Sequence, residues 1–130
     1  MTYEEIFTTV KGLVSKGDFS FNDNHYAVEI DIIGEGAGVF YIELANKTVY
    51  IEPYDYKDND CKLIVSGEDF IAISDGSLDS VKAFTTGRLK LEGNIDKALK
   101  FSEICDKARK AAFAAMAEAP APKKKAAKAK

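Results

Sequence analysis

The chain has 130 residues, 46% of them hydrophobic and 30% charged, with a formal net charge of -3. That length and apolar content suit one small domain that buries roughly two thirds of its unfolded surface around a single core. Five of the 18 basic residues, Lys123, Lys124, Lys125, Lys128 and Lys130, stand in the last dozen positions, which leaves an acidic body of 13 basic against 21 acidic residues. Such a body lacks the positive face that phosphate binding needs, so no specific nucleic-acid partner is expected. Glu4 and Glu5 stand where a secretory signal carries positive charge, and no apolar run approaches the ~18 residues that span a bilayer. The expected location is cytoplasmic. Cys61 and Cys105 have no CxxC spacing, so free thiols are expected, with no motif for a metal or another cofactor.

Thr2 followed by Glu5 is a capping-box pattern, and Tyr3, Ile6, Phe7, Val10, Leu13 and Val14 fall on one face of a helix that Gly17 closes. From Tyr26 to Ile33, Tyr26, Val28, Ile30 and Ile32 alternate with Ala27, Glu29 and Asp31, the signature of a half-buried strand. Residues 34–38 turn the chain into a second strand carrying Phe40, Ile42 and Leu44. Asn46 and Lys47 then make a tight turn into a third strand with Val49 and Ile51, ended by Pro53.

The polar segment 54–60 reads as a surface crossing into a fourth strand, residues 61–66, with Leu63 and Val65 on one face. Ser66 and Asp69 open a short helix from Gly67 that Asp75 and Gly76 stop; a second short helical turn carries Phe84; and a fifth strand runs from Arg88 to Glu92. After Gly93, Asn94 caps a long helix bearing Ile95, Leu99, Phe101, Ile104, Cys105, Ala108, Ala112 and Met116, with Pro120 and Pro122 beyond it. The order of elements predicts an α+β domain over residues 1–118, in which a five-stranded, largely antiparallel sheet has helices on one face. Residues 119–130 form an Ala/Pro/Lys tail too poor in apolar surface to fold alone, and a mobile segment is expected there.

Catalytic motifs are weak throughout. The glycine-rich loop at 34–38 joins two strands, whereas a phosphate loop leads into a helix and continues with lysine. Asp55, Asp58 and Asp60 miss the glycine and glutamate positions of a calcium loop and read as a solvated acidic crossing. His25 is within reach of Glu29 or Asp31 by strand spacing, but no nucleophile is aimed at it, and the two carboxylates are expected to solvate the outer side of the sheet. No serine, base and oxyanion site can be assembled, so no catalytic residue is assigned.

The apolar positions look the same in sequence whether they fill a solid core or line a hole. Gly38, Val39 and Phe40, then Asp69, Phe70 and Gly76, then Leu78, Ala83, Phe84, Gly87, Leu89, Leu91, Gly93 and Asn94 resemble, as an ordered set, the sterol carrier protein type two family of lipid-binding domains. The chain departs from that pattern at Asp79-Ser80, where many relatives have Asn-Pro. It ends Ala129-Lys130 rather than in the serine-lysine-leucine type signal of peroxisomal members.

The resemblance implies an apolar tunnel between the sheet and its helices, and a non-enzymatic intracellular carrier of a fatty acid, fatty acyl-CoA, phospholipid or sterol-like ligand. The alternative is a lipid-binding or scaffold subunit presenting a hydrophobic substrate to a partner enzyme. The expected tunnel lining is Phe7, Val10, Phe70, Ile73, Phe84, Leu89, Leu91, Leu99, Ile104, Phe113 and Met116, with Phe113 and Met116 as lid contacts on a terminal helix that gates exchange. The tail lysines are expected to draw the protein to anionic membrane surfaces.

Overall fold

The computed structural model describes residues 1–55 and 57–118, with side chains through Ala112. Its elements are α1 (Tyr3–Ser15), β1 (Tyr26–Ile33), β2 (Gly38–Ala45), β3 (Thr48–Glu52), β4 (Cys61–Ser66), α2 (Gly67–Asp75), α3 (Ser80–Thr85), β5 (Leu89–Gly93) and α4 (Ile95–Glu118). The strands form one sheet in the order β3-β2-β1-β4-β5. Three pairings are antiparallel and one, between β1 and β4, is parallel. The parallel pair follows from the crossing: β3 lies at one edge, and the chain must pass over two strands before β4 can settle on the open side of β1. Asp60 docks the end of that crossing, because its carboxylate accepts from the Ala27 amide at 2.9 Å and its own amide donates to the Ala27 carbonyl at 2.7 Å.

Local chemistry accounts for the helix starts. Thr2 Oγ1 accepts from the Glu5 amide at 3.1 Å while Glu5 Oε1 accepts from the Thr2 amide at 2.8 Å, completing the capping box. Ser66 Oγ accepts from the Asp69 amide, and Asn94 Oδ1 accepts from the Lys97 amide at 3.0 Å. Asp79, at the departure from the Asn-Pro pattern, caps α3 by accepting from the Val81 amide.

The core lies between the helices and the inner face of the sheet, where register sets Ile30 beside Phe40 and Leu63, and Val28 beside Ile42 and Cys61. Helix α1 approaches unusually closely. A Cβ on Gly38 would overlap the Tyr3 ring, and one on Gly67 would overlap Ile6 Cδ1. Missing side chains at these two positions let α1 sit down on the sheet and α2, and Tyr3 fastens it by donating to the Val39 carbonyl at 2.6 Å. Helix α4 is held at both its start and its middle. Lys97 Nζ lies 3.0 Å from Asp60 Oδ1, the Asp18 amide donates to the Ala108 carbonyl at 3.0 Å, and Lys107 stands 4.8 Å from the centre of the Phe21 ring. Burial works against the Asp60 charge, but the Ala27 amide and Lys97 outweigh it and hold that carboxyl below its ordinary range. Asp60 is therefore a clamp and not part of a solvated acidic loop.

The outer face of the sheet also departs from expectation. Glu29 is only 6% exposed, because register flanks it with Tyr41 on β2 and Lys62 on β4, whose Nζ lies 3.4 Å away. His25 pairs with Glu43 Oε2 at 2.6 Å on the neighbouring strand rather than with Glu29 or Asp31. Burial, then the hydrogen bond and charge of Glu29, push Asp31 up to about 6; Lys62 opposes the shift and Glu92 adds to it. A carboxyl whose folded-state pKa lies above its unfolded one contributes stability at low pH that is lost as pH rises through the folded value. Asp31→Asn is accordingly expected to stabilise the protein at pH 8, with the gain shrinking as pH falls through about 6 and vanishing only well below the ordinary carboxyl value of 3.8, where the group is protonated in both states. Urea denaturation of both proteins across that range checks it.

Candidate functional site

A cavity of about 120 Å³ lies between the inner sheet face and the helices. That is roughly an order of magnitude more space than one buried water needs. Its floor is Ile42, Leu63, Leu89 and Leu91 of the sheet; Leu13, Val14 and Phe19 close one side; Phe70 and Ile73 of α2 and Leu78 form another. Val81 and Phe84 of α3 face Ile95, Ala98, Leu99, Phe101 and Cys105 of α4. Val81, Phe84, Ile95 and Leu99 are each 45 to 55% exposed and make an apolar rim where the cavity opens to solvent.

The residues expected from sequence divide into three groups. Phe70, Ile73, Phe84, Leu89, Leu91 and Leu99 stand together around the cavity. Phe7, Val10 and Ile104 stand away from it. Val10 is fully buried, Phe7 packs edge-on against Phe40 at 5.5 Å, and Ile104 packs against the core from α4. The close seating of α1 on Gly38 and Gly67 carries Phe7 and Val10 into the solid core. Phe113 and Met116 have side chains outside the described residues.

Helix α4 explains what sequence reasoning missed. Ile104 and Ala108 meet the core and Phe101 stands between core and cavity, whereas Ile95, Ala98, Ser102, Cys105 and Arg109, spaced three or four apart, share an adjacent face and meet the cavity. The second face mixes polar and apolar residues, so hydrophobic periodicity alone does not mark it. Its i, i+3, i+7 spacing from Ile95 would have.

The polar lining comes from three helices. Ser74 ends α2, Ser80 begins α3 and is hydrogen-bonded to Ser102, and Asp106 and Arg109 follow on α4. Ser74 Oγ is already committed to the Phe70 carbonyl at 2.8 Å. Burial pushes the Cys105 thiol, which lines the cavity, up to about 12, and that of Cys61 to about 11, so both are neutral and weakly nucleophilic at ordinary pH. His25, Glu29 and Asp31 lie at the opposite side of the sheet, out of reach of the cavity.

A mixed sheet covered on one face by helices, with a largely apolar cavity between the layers, is the architecture of a small binding module. The profile of the SCP-2 sterol transfer family matches residues 20–106. The chain belongs to that family. It is 31% identical over 104 residues to hydroxysteroid dehydrogenase-like protein 2 of Bos taurus, covering 78% of this chain and 24% of that protein. It is 34% identical over 68 residues to non-specific lipid-transfer protein-like 1 of Caenorhabditis elegans, covering 52% of this chain and 58% of that one. The chain thus spans about a quarter of the length of the dehydrogenase-like relatives. The solution structure of palmitated SCP2L2 from Aedes aegypti superimposes with a TM-score of 0.59 at 24% identity, over 81% of this chain and 95% of that one.

Proposed function

We propose that this chain is a cytoplasmic, non-enzymatic lipid carrier that takes a fatty acid, fatty acyl-CoA, phospholipid or sterol-like molecule into the cavity. The observation that carries the reading is an apolar cavity whose opening is itself ringed by half-exposed Val81, Phe84, Ile95 and Leu99. An acyl chain entering past that rim gains ~0.8 kcal/mol for each methylene it buries, from which association and ordering costs are subtracted. Membership of a sterol transfer family and the palmitated relative support it. Native mass spectrometry of freshly purified protein is expected to show a co-purifying lipid, or one-to-one uptake of added palmitate; a protein that neither carries nor loads lipid excludes the reading.

A second reading is favoured by the length of the dehydrogenase-like relatives: the module presents a hydrophobic substrate to a partner enzyme, with the apolar rim as the hand-over surface. Salt-sensitive attraction of the tail lysines to anionic membrane would bring either kind of carrier to its source of lipid. The tail itself lies outside the described residues.

A further inference from the structure

We propose that Arg109 is the head-group seat of the cavity and that the protein thereby selects ligands ending in a carboxylate. This rests on the carrier reading and names the ligand class for it. Arg109 is the one cation among the described lining residues, and it stands 14 residues along α4 from the rim residue Ile95, with Asp106 one turn before it. Its guanidinium lies over the end of α2, where a Cβ on Gly76 would come within 2.8 Å of Nε; the φ of +90° and the bare Cα of Gly76 make room for it. The side chain is 32% exposed, sheltered enough for its charge to act strongly on a ligand and open enough for a ligand to reach it.

Its present anionic partner is replaceable. Nη2 donates to Asp106 Oδ1 at 2.6 Å, and Asp106, one turn earlier on the same helix, has a side chain 49% exposed. Asp75 at the end of α2 also feels the Arg109 charge. A guanidinium carries five donors in a planar fork that matches a carboxylate, so an incoming acid head group can be bound while Asp106 turns to water at little cost. From Arg109 the cavity face of α4 runs back to Ile95, a distance of ~21 Å along the helix axis. That run takes an extended long acyl chain from a charged head to the apolar rim.

The test compares palmitate with hexadecanol, which keeps the chain and drops the charge, by displacement of a fluorescent fatty-acid probe at pH 8 from the full chain. Wild-type protein is expected to prefer palmitate by roughly tenfold, and Arg109→Gln to lose that preference while binding hexadecanol as before. Asp106→Asn, which removes the competing carboxylate, is expected to bind palmitate more tightly. Equal affinity for the two ligands in wild type overturns the head-group seat and leaves the carrier reading standing. An equal loss of both in Arg109→Gln, or weaker palmitate binding in Asp106→Asn, makes the Arg109–Asp106 pair a structural latch and also overturns it. Binding of neither ligand by wild type overturns the seat and the carrier reading together.

Discussion

Replacing Ala98 with phenylalanine is expected to cut palmitate loading by well over tenfold while leaving the protein folded. Ala98 lines the cavity from α4, on the face that also bears Ile95, Ser102 and Cys105, and it is packed against the core without being fully covered. A benzyl group there has the void in front of it, so it gains dispersion contacts rather than clashes, and the loss of helix propensity is only ~0.5 kcal/mol. The ligand loses what the ring gains. Each pair of methylenes kept out of the cavity forfeits ~1.6 kcal/mol, which by itself exceeds a tenfold change in affinity. Probe displacement and thermal denaturation, run on the same preparation, check both halves. Undiminished palmitate binding by a folded Ala98→Phe protein would place the ligand somewhere other than this cavity.

The second large effect concerns stability. Phe40 is fully buried on β2, and its ring meets Phe7 of α1 edge-on at 5.5 Å and Phe70 of α2 at 6.0 Å. One side chain thus joins the sheet to two helices. Phe40→Ala is expected to cost about 3–5 kcal/mol. That is a third or more of what a domain of this size ordinarily has. Urea denaturation should show the midpoint falling accordingly. Phe84→Ala is the informative contrast: Phe84 is 45% exposed at the rim, so stability should change by less than ~1 kcal/mol while ligand uptake slows. If the two substitutions destabilised the protein alike, the rim would be part of the core and the opening would not be where the exposed side chains place it.

The elements were legible in the sequence because alternation and capping are local. Tyr26 to Ile33 and Cys61 to Ser66 are strands over the expected residues, and Thr2, Ser66 and Asn94 cap the helices they were expected to cap. The α+β class and its largely antiparallel sheet follow from their order. The parallel pairing of β1 with β4 was less accessible, since it depends on which side of β1 receives the strand after the crossing. Side chains whose role is set by neighbours from distant segments were the hardest to read. Glu29 looked solvated by alternation, yet Tyr41 and Lys62 cover it. Asp60 looked like one carboxylate of a loose acidic loop, yet it ties β1 to α4.

At the site, six of the apolar side chains singled out from sequence stand around the cavity, all of them in the stretch from Phe70 to Leu99. Phe7 and Val10, chosen from α1, stand away from it for a reason that lies in other segments: Gly38 and Gly67 admit the start of the helix so closely that only its last turn, with Leu13 and Val14, reaches the cavity. Arg109 was passed over because it sits in a helical turn rich in lysine and alanine, where nothing in the sequence separates it from a solvated charge. Its position over Gly76 separates it.

The bond from the Asp18 amide to the Ala108 carbonyl has a consequence for how freely this protein can be redesigned. Donor and acceptor are both peptide groups, so the fastening is indifferent to side chains; at position 18 proline is the one residue that removes the donor. The middle of α4 is anchored by backbone, and the cavity-facing residues in the turns before that anchor take no part in it. An engineer, or natural variation, can reshape Ala98, Ser102 and Cys105 to suit a different cargo without unmooring the helix that carries them.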